Sequence, residues 1–326
     1  MRGQARTCVL AAALLAPPAA TAQHGSSPFP RPAGTSFRVL SWNVSRSGFV
    51  EHRDDFRGLV KLADPDLLIL DEVDGTHTPD DLRAALRGIR NPGDTVWYAT
   101  IGSGGGYQRG AVVSREPVAA LAEFELVAYP DTSVEQVLGL APDSLHERLR
   151  RSSARGVAVH GAAVRVAGRR LVAVSIDLQC CGLPGTWEER RRMVEAHAIR
   201  DALRRALAAA APDGAIAAGD LNLVATSFPL AILLGPYDPP YHGLLPAEPY
   251  HRDRREVWTW DGRGTEFPSK PIDFQLYGPG SLQALAAWVL DTEDLTAAEL
   301  AAFGLEAQAS RRVSDHRPVV VDYRWR

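Results

Sequence analysis

Apolar runs of strand length in this chain keep ending in carboxylates and amides, and that pattern constrains the fold more than any other feature. Asn43 closes RVLSWNV at 38–44, where Leu40, Trp42 and Val44 share one face and Ser41 and Asn43 the other. Asp71, Glu72 and Asp74 follow LLIL. Asp177 interrupts VAVSIDL on the face opposite Val172, Val174 and Ile176. Asp220 and Asn222 follow AIAAG, and Asp273 alternates away from Ile272, Phe274 and Leu276. Asp315 and His316 stand directly before PVVV. In open α/β sheets, ligands bind where strands end. Carboxylates brought together there repel and raise one another's pKa unless a cation neutralises them. An all-oxygen set suits Mg²⁺, Mn²⁺ or Ca²⁺ better than zinc.

Helical patterns alternate with these runs. Residues 54–63 carry Phe56, Leu59, Val60 and Leu62 at helical spacing until Pro65 stops them. Thr78-Pro79-Asp80-Asp81 opens another helix with a capping pattern, and Thr186-Trp187-Glu188-Glu189 reads as a capping box. The helix behind that box is expected to run to about Ala209 on a stripe of Met193, Ala196, Ile199, Leu203 and Leu207. Further strands are expected near 96–101, 110–114, 157–165, 171–178, 214–218, 272–277 and 318–323. The stretches 126–156 and 280–312 look like insertions, the second with a capped helix at Thr296-x-x-Glu299.

The N-terminus has a separate logic. Arg2 and Arg6 precede the apolar CVLAAALLA at 8–16, and Pro17, Pro18 and Ala20-Thr21-Ala22 follow. This is the order of a secretory signal peptide cut after Ala22, and the apolar run is too short to span a bilayer. A secreted or periplasmic protein is therefore expected, with 23–35 as a Pro/Gly/Ser-rich linker and 36–326 as one domain, monomeric. With 45% hydrophobic and 23% charged residues, the chain is not a disordered, collagen-like or disulfide-dense type. The formal charge is −3, and loss of two arginines with the signal leaves 34 basic against 39 acidic residues, or −5. A broad electrostatic grip on nucleic acid is not indicated. Lysine is confined to Lys61 and Lys270, so a basic groove has to draw on arginines such as those at 147–155. Beyond the signal, only Cys180 and Cys181 remain; free thiols and an adjacent-residue disulfide both stay open.

Taken in order, WNV at 42–44, DE at 71–72, RGAVVS at 109–114, GDLN at 219–222, IDF at 272–274 and SDH at 314–316 resemble the signature of the endonuclease/exonuclease/phosphatase superfamily. That superfamily includes secreted DNases, abasic-site endonucleases, bacterial sphingomyelinases and inositol-polyphosphate phosphatases. The resemblance covers about 36–326 and implies a four-layer α/β/β/α sandwich, with two packed mixed β-sheets flanked by helices. It implies Glu72 as the main metal-binding carboxylate, Asn43 beside it and Asp315 as a second acid near the metal, with Mg²⁺ or Mn²⁺ as cofactor. Asp220 corresponds to the acid that aligns or deprotonates water, and Asn222 to an amide that donates to the phosphoryl oxygen. Asp273 and His316 resemble the family's Asp–His pair, in which either His316 or Asp220 serves as base. Arg109 is a candidate phosphate contact or a plain surface arginine.

One position departs from the pattern. Ser175-Ile176-Asp177-Leu178 puts Asp177 where many members carry histidine, and an acid can donate there only if its pKa is raised. Asp177 is left as a metal ligand or a structural residue. The leading expectation is an exported, metal-dependent phosphodiesterase acting on nucleic acid. A lipid or inositol-phosphate hydrolase is the alternative, favoured if Trp258 and Trp260 form an exposed aromatic hairpin rather than packing inward. A non-catalytic binding protein is the third, and Asp177 is its only support.

Overall fold

The computed structural model describes residues 28–89 and 96–326. The expected signal peptide at 1–22 lies outside the described residues. Among the described residues, twelve strands form two six-stranded sheets. In the first, the order is β11 (Leu282–Val289), β12 (Val319–Trp325), β1 (Phe37–Arg46), β2 (Leu67–Asp74), β4 (Gln108–Ser114) and β3 (Tyr98–Ile101). In the second it is β5 (Val118–Ala120), β6 (Val159–Val166), β7 (Arg169–Asp177), β8 (Gly214–Asp220), β10 (Asp273–Tyr277) and β9 (Leu245–Pro246). Both sheets are mixed: β1–β2 and β7–β8 run parallel, and the other pairs run antiparallel.

Period-two alternation decides which side chain enters which layer. Phe37, Val39, Leu67, Ile69 and Val112 of the first sheet meet Ala162, Val164, Ala173, Ile216 and Ala218 of the second in a dry layer between the sheets. The alternate residues, among them Leu40, Trp42, Leu68 and Leu70, face the helices Arg53–Ala63 and Pro79–Leu86. On the far side Val172, Val174, Ile176 and Ala217 pack under the long helix Trp187–Ala210 and the insertion helices Asp131–Leu138 and Asp143–Ser153. The architecture is the expected α/β/β/α sandwich.

The long helix begins at Trp187 as expected, but the capping box is not made. Thr186 Oγ1 donates instead to Leu183 O at 2.9 Å, and Glu189 turns inward to Arg192 and Thr226. A buried cation competes better for that carboxylate than a single exposed N–H. The box at Thr296 and Glu299 does form. The 280–312 stretch also supplies the edge strand β11, which its alanine-rich sequence LQALAAWV conceals because alanine carries little strand preference. Residues of the expected linker contact the domain: Phe29 stacks on Trp288 with ring centroids 5.2 Å apart, and Arg31 Nη1 donates to Asp66 at 2.7 Å. Among the described residues no helix is long and apolar enough to cross a membrane.

Candidate active site

The polar residues at the strand ends occupy the inner faces, one step beyond the apolar layer. In the second sheet, Asp177, Asp220 and Asp273 lie side by side across β7, β8 and β10, as register partners. In the first, Asn43 is opposite Asp71. The sandwich therefore runs out of apolar inner residues at one edge and continues in carboxylates. Glu72 reaches this edge by a different route. The ladders shift register between Asn43 and Arg46 and between Leu70 and Val73, so Glu72 sits in a bulge with φ 51°. A bulge re-aims the side chain it contains. Here it lets Asn43 Nδ2 donate to Glu72 Oε1 at 3.1 Å.

His316 is fixed from three sides. Its Nδ1 donates to Asp273, 2.9 Å from Oδ2 and 3.1 Å from Oδ1. Its carbonyl accepts from Trp42 Nε1 at 3.0 Å, and its N–H donates to Ser314 Oγ at 3.0 Å. Its Nε2 faces Asp220 Oδ2 at 3.8 Å. Burial by itself would depress this imidazole, but the carboxylates of Asp273, Asp220 and Asp315 outweigh it and push the pKa up to about 10.

Asp220 accepts from Asn222 twice: the backbone N–H bonds Oδ1 at 2.7 Å, and Nδ2 bonds Oδ2 at 2.9 Å. The same Nδ2 donates to Leu178 O at 2.8 Å. Both neighbours accept, so the amide orientation is fixed and its hydrogens are committed to the protein. In this geometry Asn222, expected to donate to a phosphoryl oxygen, holds Asp220 in place. Gly219, just before Asp220, has φ 138°, and a Cβ there would lie 2.0 Å from Ile176 O. That position has to be glycine.

Asp315 is exposed and accepts from Ser45 Oγ at 2.9 Å and from Trp260 Nε1 at 3.0 Å. Trp258 packs against His251, with ring centroids 4.3 Å apart, and beneath Arg317. The two tryptophans are thus packed and half-buried, not an exposed hairpin. Arg109 is not among the carboxylates. It lies on β4, where its Nε donates to Gly106 O at 3.2 Å, and it lines a groove with Tyr107 and Arg155. Arg109 is the register partner of Val73, the residue after Glu72, so it stands one strand over from the carboxylate edge. Cys180 and Cys181 are both free and exposed, beyond the end of β7.

One strand-end acid, Asp71, is singled out by the sequence without a role. Asp71 is fully buried, and neither carboxylate oxygen has a hydrogen-bond partner. Its strand parity with Leu67 and Ile69 was the available signal. Burial and the charges of Asp273, Asp220 and Glu72 raise its pKa well above the usual carboxylate range. Asp177 is raised in the same way, by burial first and then by Glu72, Asp220, Asp71 and Glu195. Asp220 is also raised by burial, with His316 opposing and Asp273 reinforcing the shift.

This donor set fits a divalent cation. Orphaned carboxylate oxygens in a buried site are costly unless a positive charge meets them. Asp220, Asp273 and His316 each offer one ligand atom within 4.8 Å of the others, and they form a candidate metal-binding cluster.

A fold of two packed mixed sheets is shared with known proteins. The chain belongs to the Endonuclease/Exonuclease/phosphatase family, whose model it matches over residues 40–316. Among solved structures it is similar to an endonuclease/exonuclease/phosphatase family protein from Leptotrichia buccalis, with TM-score 0.56 and 14% identity over 88% of this chain and 99% of that one. It is also similar to an endonuclease/exonuclease/phosphatase from Beutenbergia cavernae, with TM-score 0.52 and 17% identity over 89% of this chain and 72% of that one. The human Nocturnin catalytic domain, solved with a bound sulfate anion, is similar with TM-score 0.52 and 17% identity over 90% and 94% of the two chains. At such identities the likeness establishes the fold. No curated protein matches the chain.

Proposed function

We propose that this chain is an exported, metal-dependent phosphodiesterase acting on nucleic acid. The observation that carries the reading is one edge at which Asp177, Asp220 and Asp273 stand in register, Asp220 and Asp273 close on His316, and Asp71 and Glu72 end the facing strand β2. Carboxylates gathered this closely repel one another, and a divalent cation would relieve that repulsion and offset the charge of a phosphate ester. When bound, the ion supplies charge stabilisation for the non-bridging and leaving oxygens of the ester.

Glu72, held by Asn43, and Asp315 on the facing loop are the residues proposed to hold Mg²⁺ or Mn²⁺. The cluster of Asp220, Asp273 and His316 is the other place for a cation. The Glu72 side is preferred because its donors are all oxygen. In addition, Asp273 holds His316 as an imidazolium, whose Nε2–H is a hydrogen-bond donor and not a metal ligand. That N–H is aimed to meet charge developing on a phosphoryl oxygen. Asp220, raised above the usual carboxylate range and fixed by Asn222, orients the attacking water and takes its proton. Asp177 meets the condition for an acid to replace the family's histidine, since its surroundings favour the protonated, donating form.

The test is hydrolysis of plasmid DNA, single-stranded DNA, RNA, sphingomyelin and bis-p-nitrophenyl phosphate, each with Mg²⁺, with Mn²⁺ and with EDTA. EDTA-sensitive cleavage of nucleic acid and of the small diester is expected. Turnover of sphingomyelin alone would transfer the assignment to lipids. No EDTA-sensitive turnover of any substrate would leave a binding protein.

A further inference from the structure

A cavity of about 420 Å³ opens beside the carboxylates, with Glu72, Asp177 and Asn222 on one side. The 126–156 insertion builds the opposite wall with Arg148 and Arg155. Nearby, Arg191 is committed to Glu195 and the Tyr129 hydroxyl. Arg148 and Arg155 are exposed and have no carboxylate partner among the described residues. Past Arg155 the surface continues into a second groove of about 850 Å³, where Arg109 and Tyr107 also line the wall and Glu125 is the one carboxylate. Tyr107 is 64% exposed, and the Arg155 guanidinium lies over its ring at 5.2 Å.

Unpaired arginines interleaved with an exposed aromatic ring are the chemistry of a single-strand platform: the cations follow phosphates and the ring takes a base. The first cavity is of the size that encloses one small ligand or ligand segment, and its continuation suits an extended chain better than a compact molecule. We propose that the two cavities form one track for single-stranded nucleic acid, in which Arg148 and Arg155 hold phosphates flanking the scissile one and Tyr107 stacks a base. The track rests on the phosphodiesterase reading and narrows its substrate. It also explains how a chain with formal charge −3 grips a polyanion: the contacts are local, from arginines the fold leaves free.

The experiment measures fluorescence anisotropy of a labelled oligothymidylate, and of a duplex of equal length, against salt concentration with EDTA present. Single strand is expected to bind more tightly than duplex. Arg148→Ala/Arg155→Ala should weaken single-strand binding at least tenfold and reduce the slope of log K against log salt by about 1.4, or about 0.7 per lost phosphate contact. Tyr107→Ala should cost about tenfold with the salt slope unchanged. Arg165→Ala, on the exposed end of β6, serves as the control and should change neither. An unchanged slope in the double variant, or tighter binding of the duplex, overturns the track. Hydrolysis of bis-p-nitrophenyl phosphate by the wild-type protein is scored separately. If that fails while the strand-binding pattern holds, the catalytic reading falls and the track stands.

Discussion

Glu72 and Asn222 both hold left-handed backbone, at φ 51° and φ 49°. Such positions cost of order 1–3 kcal/mol each and survive only where the surroundings fix them. Asn222 is held by three hydrogen bonds to Asp220 and Leu178, and Glu72 by the two ladders on either side of its bulge. At this scale the proton inventory makes the sharpest predictions. Asp220→Asn and His316→Gln should each lower kcat for bis-p-nitrophenyl phosphate by about 10²–10⁴-fold, as expected for groups that act in proton transfer or donation. In metal-free protein, an NMR titration should find His316 protonated until pH approaches about 10, and Asp273→Asn should bring the transition down toward the ordinary value of about 6.5. The sign follows from linkage: a histidine raised on folding contributes fully below its unfolded pKa and loses that contribution as pH rises through the folded one. Urea stability of the metal-free protein should therefore decline from about pH 6.5 to about pH 10, with a shallower decline in Asp273→Asn.

Strands, loops and their ties decide whether those residues meet. Arg317 follows His316 directly and is fully buried, donating to Asp291 at 2.8 Å and to Asp261 at 2.8 Å. It ties the start of β12 to the end of the 280–312 segment's strand and to the loop bearing Trp260. Replacing it by Met leaves two buried carboxylates with less compensation and should destabilise the protein by about 3–5 kcal/mol in urea unfolding. Gly219→Ala should also destabilise, because its Cβ has no room and its φ of 138° suits only glycine. Much at this level was legible in the sequence. Alternation in RVLSWNV, VAVSIDL and IDFQLY put Asn43, Asp177 and Asp273 on the faces they occupy, because strand geometry is local. The unmade cap at Thr186 was not legible: Glu189's choice of Arg192 depends on what the folded helix buries. Nor was β11, whose alanines have a strand neighbour only once β12 is in place.

For the whole molecule, the two sheets bring their acidic ends to one edge, and a cation that binds there should stabilise the folded state. Mg²⁺ or Mn²⁺ at about a hundred times its Kd should add about 2.7 kcal/mol, seen as a rise in Tm that EDTA reverses and Glu72→Gln abolishes. The proposed export is checked by fractionating a host that expresses the full chain and sequencing the N-terminus of the product, with Gln23 expected first and outside the cytoplasm. The sequence by itself determined most of the strands and helices and the identity of the chemical groups, while the layers followed from the family resemblance. Hydrophobic periodicity and strand-end residues are properties of short segments, read without knowing what lies across from them. Tertiary structure alone decided that Asn222 serves Asp220, that Arg109 lines the groove that continues past Arg155, and that the Asp71 carboxylate has no hydrogen-bond partner among the described residues. Those outcomes depend on distances between residues far apart in the chain, set only when the two sheets close over their shared core.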